Sequence, residues 1–279
     1  MRGPLSERRY AAWRGILYRH GHIAMAVVGL LAWSRLGPGL ASMLLLPAWA
    51  VAGQLIFAGS FEAARLRRSA WLGQYLRESS PWHSRLRGGL LMVLSHQLLG
   101  LLLALLLLVQ LRLLSSVAWP ALLLAALALG WLQASLRRRM ARHVVAAYIP
   151  SLTRRLLVWP VGGLLALLLM LMALWLPQPY LIGLAWEEAL VRHVSTSAGG
   201  TLLGFFERLA QALELTQYWA MQNAVTRTGV DELMVLIGWL VLMLSQSAFA
   251  WACVKLLVGV DSLRDRLTRR PENGREEPV

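Results

Sequence analysis

Ser95-His96-Gln97 interrupts a long apolar stretch with residue types that relay protons or seat a small ligand. His96 offers a titratable ring and Gln97 an amide that could orient it, and each is costly in hydrocarbon unless it faces protein or water. Gln246, within Ser245-Gln246-Ser247, poses the same question on another apolar run, as do Gln54 and Gln133. A transport path would need several of these to converge, His96, Gln97 and Gln246 first. The plainer reading is that they hydrogen-bond between helices and hold a bundle together.

Glu187, Glu188 and His193 have types suited to acid-base or metal chemistry. Adjacent residues on a helix point about 100° apart, however, so this trio spreads over a solvated face. Glu188 and Arg192 are spaced for an ion pair along a helix. His83 and His143 lie near arginines that could hold phosphate, as an enzyme acting on lipid or envelope precursors would require. The chain has no phosphate-binding glycine loop, no zinc-type histidine spacing and no nucleophile elbow. No metal and no cofactor is expected. The single Cys253 lies in an apolar run, which excludes a disulfide framework and reads as a small buried side chain.

The segments that carry these residues are shaped for lipid. Of the 279 residues, 57% are hydrophobic and 15% charged, the latter well below the roughly 25% of a soluble domain. A hydrocarbon core about 30 Å thick takes roughly 20 apolar residues to cross as a helix. Six runs qualify, at about 16–34, 40–59, 88–110, 117–134, 156–176 and 233–258. The expected fold is therefore an all-α, polytopic membrane bundle of about six helices over residues 1–259, followed by a charged tail at 260–279. A cleavable signal peptide competes for the first run, but the apolar sequence resumes straight after it.

Gly37-Pro38-Gly39 and the few residues around Arg112, Ser115 and Ser116 make two tight hairpins. The stretch from Phe61 to Arg87 is polar and basic, and reads as a surface helix followed by a turn at Ser79-Ser80-Pro81. No acidic residue falls within any of the six runs, which argues against ion coupling through a buried carboxylate. Leu66-Arg67-Arg68 and Leu136-Arg137-Arg138 form a weak internal echo, although the spacings to the tyrosine and proline that follow each differ.

Charge placement sets the expected orientation. The chain holds 28 Lys plus Arg against 14 Asp plus Glu, and Lys255 is its only lysine. Basic residues collect at the N-terminus, in the second and fourth connections and in the tail, leaving Arg35, Arg112, Arg192, Arg208 and Arg227 elsewhere. Cytoplasmic loops retain Lys and Arg, so both termini are expected in the cytoplasm of a bacterium, with the bundle in its inner membrane. Arg67, Arg68, Arg137, Arg138 and Arg139 are candidates for contact with anionic lipids, or they simply fix orientation. No nucleic-acid partner is expected. Trp33, Trp119, Trp159 and Trp175 fall near expected membrane boundaries, whereas Trp49 and Trp239 lie deeper, where they would pack between helices.

The segment 178–232 carries apolar residues at helical spacing. One helix is expected at about 181–194 and another at about 202–225, the second bearing Phe205, Phe206, Leu209, Leu213 and Trp219. Such helices dock on another envelope protein or lie flat on their own bundle. The functional expectation is a non-enzymatic scaffold or subunit of an envelope, secretion or transport assembly. A small-molecule transporter or channel and a membrane enzyme acting on lipid precursors are the alternatives.

Overall fold

Backbone amides in hydrocarbon find no water, so apolar runs must satisfy their own hydrogen bonds as helices. The computed structural model describes residues 21–75, 89–146, 148–194, 200–226 and 232–268, and every regular element within them is helical. Helix α1 covers 21–35. It is followed by α2 (Pro38–Tyr75), α3 (Leu90–Leu113), α4 (Trp119–Met140), α5 (Ile149–Trp175), α6 (Trp186–His193), α7 (Leu202–Thr226) and α8 (Glu232–Thr268).

Five segments are long and apolar enough to cross a membrane: Pro38–Arg68, Leu90–Leu113, Ser116–Met140, Ile149–Trp175 and Gly238–Thr268. The expected count of about six is close, and the run expected at 16–34 begins outside the described residues. Only 28% to 50% of each apolar window is buried inside the bundle. The remaining leucine-rich faces point outward, a surface that water would not tolerate and that lipid suits.

Prolines start the helices they precede. Pro38 opens α2 after a turn in which the Leu36 N–H bonds to the Trp33 carbonyl at 3.3 Å, and Pro150 sits in the first turn of α5. A short 3-10 turn at Ser116–Ala118 joins α3 to α4. Helix α5 ends at Trp175, just before Pro177 and Pro179.

Two helices run well past the ends expected from hydropathy. Helix α2 continues from the expected end at 59 to Tyr75, and α8 from 258 to Thr268. The first charge closes an apolar window but does not break a helix. Phe61-Glu62-Ala63-Ala64-Arg65 and Asp261-Ser262-Leu263-Arg264 contain neither proline nor glycine, and consist largely of good helix formers. The stretch after Phe61 is thus a continuation of the second span and not a separate surface helix.

Helix α2 packs against α3 and α8, while α5 packs against α4 and α8. Glycines set the closest approaches. A Cβ on Gly100 would lie 2.9 Å from the Gly53 carbonyl, and one on Gly259 would collide with the Leu55 carbonyl beside Gly59. Small residues at such crossings let membrane helices gain backbone-level packing. Trp33 and Trp49 add cross-helix bonds, their indole N–H groups donating to the carbonyls of Leu108 at 2.8 Å and Leu101 at 2.7 Å. Trp33 and Trp119 are therefore core residues and do not face headgroups; Trp159 and Trp175 stay outside, at 72% and 88% exposure.

Helix α7 crosses one end of the bundle. Thr201, just before it, meets Ser42 of α2, Glu207 pairs with Arg112 of α3, and Gly238 of α8 packs against Met221. Gln222 and Asn223 bind the backbone of 179–183, which leads into α6. The arginine-rich ends of α2, α4, α5 and α8 meet at the other end.

Candidate functional site

A buried ionic network occupies the arginine-rich end, built from residues just beyond the apolar windows. Asp261, one turn past Val258 on α8, has a side chain only 6% exposed and accepts from four donors. These are Arg154 Nε at 2.7 Å, Arg137 Nη2 at 2.8 Å, Gln133 Nε2 at 2.5 Å and His22 Nε2 at 3.1 Å. Helices α1, α4 and α5 are thereby tied to α8 through one carboxylate.

Arg154 is the second hub. Its buried guanidinium also donates to Glu62 of α2 at 3.1 Å and to Asp265, while Ser262 donates to Glu62. A planar fork with five donors suits this sharing of one cation among three carboxylates. Arg264 Nη1 lies 3.0 Å from His22 Nδ1. A guanidinium only donates, so Nδ1 accepts and the ring proton sits on Nε2, directed at Asp261.

Two cavities flank the network. One, of about 380 Å³, is lined by His22, Gln133, Arg137, Arg138, Asp261 and Arg264, among others. The other, of about 320 Å³, lies among α2, α3, α5 and α8 and includes Glu62, Arg67, His96, Arg154, Arg155, Trp159, Trp251 and Lys255. A third, of about 400 Å³, lies beneath α7 at the opposite end and includes Gln110, Gln211, Glu214, Tyr218 and Gln246. Burial raises the pKa of Glu214 there, although part of the residue reaches the surface, and the Tyr218 hydroxyl 3.5 Å away opposes the shift.

The polar residues singled out in the spans do not share a site. His96 lines the cavity at the arginine-rich end, where its Nδ1 donates to the Met92 carbonyl at 2.9 Å and its ring meets Phe61 edge-on. Gln246 lines the cleft beneath α7. Gln97 is half-buried one position from His96 and lines none of these cavities. Gln133 belongs to the ionic network.

The arginines considered for lipid contact also divide. Arg67 lines the cavity with Lys255, Arg68 approaches Met92, and Arg137 is drawn into the network. Arg138 folds back on the Ala134 carbonyl, and Arg139 is exposed. On α7, Phe205, Leu209 and Leu213 form an exposed stripe, of which the first two line an apolar groove with Leu190 and Val191. Phe206 packs on the bundle core, and Trp219 turns inward to donate to the Leu184 carbonyl at 2.9 Å. Glu188 and Arg192 form the expected ion pair, at 2.6 Å. His143 is exposed in the turn after α4, and His83 lies outside the described residues.

Sequence reasoning missed the network because its members are scattered over five helices and its acids lie just beyond the apolar windows. A signal was present nonetheless. Glu62, Asp261 and Asp265 are carboxylates embedded in arginine-rich segments, with no proline between them and the apolar run before. No group of three or more metal-binding side chains occurs among the described residues. No family model, curated protein or solved structure matches the chain.

Proposed function

We propose that the protein is a non-enzymatic scaffold or subunit of a membrane assembly, seated in a bacterial inner membrane with its arginine-rich end in the cytoplasm. One observation carries this reading: the acids of the network are spent on its bases. Glu62, Asp261 and Asp265 each bond to Arg154, and Asp261 takes three further donors, so the cluster serves to lock helices together. Chemistry needs a nucleophile, acid or base with reach toward a substrate, and saturated hubs lack it.

A rigid bundle of this kind presents surface, and the Phe205–Leu209–Leu213 stripe is the surface it offers outside the membrane. A photo-reactive side chain placed at position 205 or 209 in living cells should give discrete protein adducts heavier than the chain, and Phe205→Asp should abolish the adducts formed from position 209. Adducts with lipid alone at both positions would overturn the scaffold reading. Transport of a small molecule is the second reading, favoured by Gln246 and His96 lining cavities toward opposite ends. It ranks second because those cavities are separate.

A further inference from the structure

The cavity shared by α2, α3, α5 and α8 differs from the network beside it in one respect: its cations are not balanced. Lys255, Arg67 and Arg155 line its wall together with Arg154. Arg154 is fully engaged, but among the described residues no carboxylate pairs with Lys255, Arg67 or Arg155. Glu62, the one acidic residue in the wall, has its oxygens taken by Arg154 and Ser262.

Lys255 is the sharper anomaly. It is the chain's only lysine and stands within the apolar run of α8, with its Nζ 4.0 Å from the centre of the Trp251 ring. A cation–π contact steadies an ammonium but leaves its donors unused. Facing Arg67 and Arg155 across a cavity, those donors favour an anion that takes several hydrogen bonds at once. A phosphate group meets that need.

The wall also indicates what the phosphate is attached to. Trp159 stacks obliquely on Trp251 with ring centres 5.5 Å apart, and is 72% exposed on the lipid-facing side of α5. Leu99, Val158 and Val258 complete the apolar rim. Basic recesses between helices, at the level where spans end, suit headgroups whose acyl chains lie along the bundle. We infer that this cavity binds the phosphate of an anionic phospholipid headgroup, held by Lys255, Arg67 and Arg155 with the acyl chains running past Trp159. The inference does not depend on the scaffold reading, since a transporter or an enzyme could carry the same lipid.

The test uses the full chain, delipidated in detergent and followed by native mass spectrometry and thermal unfolding. Phosphatidylglycerol should bind saturably and raise the melting temperature, whereas phosphatidylcholine should not. Each Lys or Arg near a lipid surface contributes on the order of 1 kcal/mol, so Lys255→Gln and Arg155→Gln should each weaken binding about fivefold. Lys255→Arg should retain most of it, and Arg142→Gln, in the exposed turn after α4, should retain all of it. Arg155 is exposed, so its variant reports on binding even where Lys255→Gln disturbs packing. Glycerol 3-phosphate and inorganic phosphate separate the sources of the anion. If either matches phosphatidylglycerol in affinity, the phosphate site stands and the lipid assignment falls. Binding of phosphatidylglycerol that is unchanged in both glutamine variants, or absent from the parent, overturns the site itself.

Discussion

Arg154 shows how one buried residue can decide the stability of a membrane bundle. Its side chain is 5% exposed and serves Asp261, Glu62 and Asp265 together. Removing Arg154 takes the guanidinium from Glu62 and leaves Asp261 and Asp265 to share Arg137, and breaking a buried ion cluster by removing one member costs about 3–5 kcal/mol. Arg154→Met should therefore lower the melting temperature of the detergent-solubilised protein sharply. Arg154→Lys should recover little of the loss, because an ammonium cannot spread its donors over three carboxylates in one plane. A melting temperature unchanged in Arg154→Met would show that the cluster contributes nothing net. None of this was legible at the residue scale from sequence. Arg154 reads there as one of several arginines in a loop, and its partners lie 92 to 111 positions away along the chain. The pair that was legible, Glu188 with Arg192, is local, exposed and of small energetic weight.

Between elements, the crossing of α2 and α8 is set by backbone proximity. A methyl group at Gly259 would collide with the Leu55 carbonyl, whereas one at Gly163 of α5 would meet nothing within 4 Å. The two glycines should thus respond oppositely to alanine. Gly163→Ala gains helix propensity, up to about 1 kcal/mol, with no packing penalty. Gly259→Ala must push two helices apart next to Asp261, and should lower the melting temperature by more than Gly163→Ala raises it. Equal and small effects at both positions would refute the close crossing. Helix existence was readable because length and apolarity alone force it, and the hairpin turns followed from Gly37-Pro38-Gly39 and from the short polar break around Arg112, Ser115 and Ser116. The ends of α2 and α8 were not, because hydropathy marks where lipid stops and not where hydrogen bonding stops. That gap of a few turns on each helix is where Glu62, Asp261 and Asp265 lie.

For the whole molecule, the proposed orientation, with the arginine-rich end in the cytoplasm, rests on the distribution of arginine. Reversing the bundle would carry Arg137, Arg138, Arg139, Arg142, Arg154 and Arg155, in and beside the connection of α4 to α5, across the bilayer. Each would cost about 2.5–3.5 kcal/mol at the membrane centre, and such loops stay on the side from which insertion starts. The arginines at the other end are few, and two of them are engaged locally, Arg112 by Glu207 and Arg192 by Glu188. Cysteine labelling can read the outcome directly, because the native Cys253 is buried in the core and gives little background. Val191→Cys, at a position 82% exposed on α6, should react with a membrane-impermeant maleimide in cells whose outer envelope has been permeabilised. Arg142→Cys, exposed in the turn after α4, should react only after the inner membrane is broken. The reverse pattern would place α7 and its apolar stripe in the cytoplasm. The phosphate cavity would then sit in the outer leaflet, where positive-inside retention could not have put its arginines.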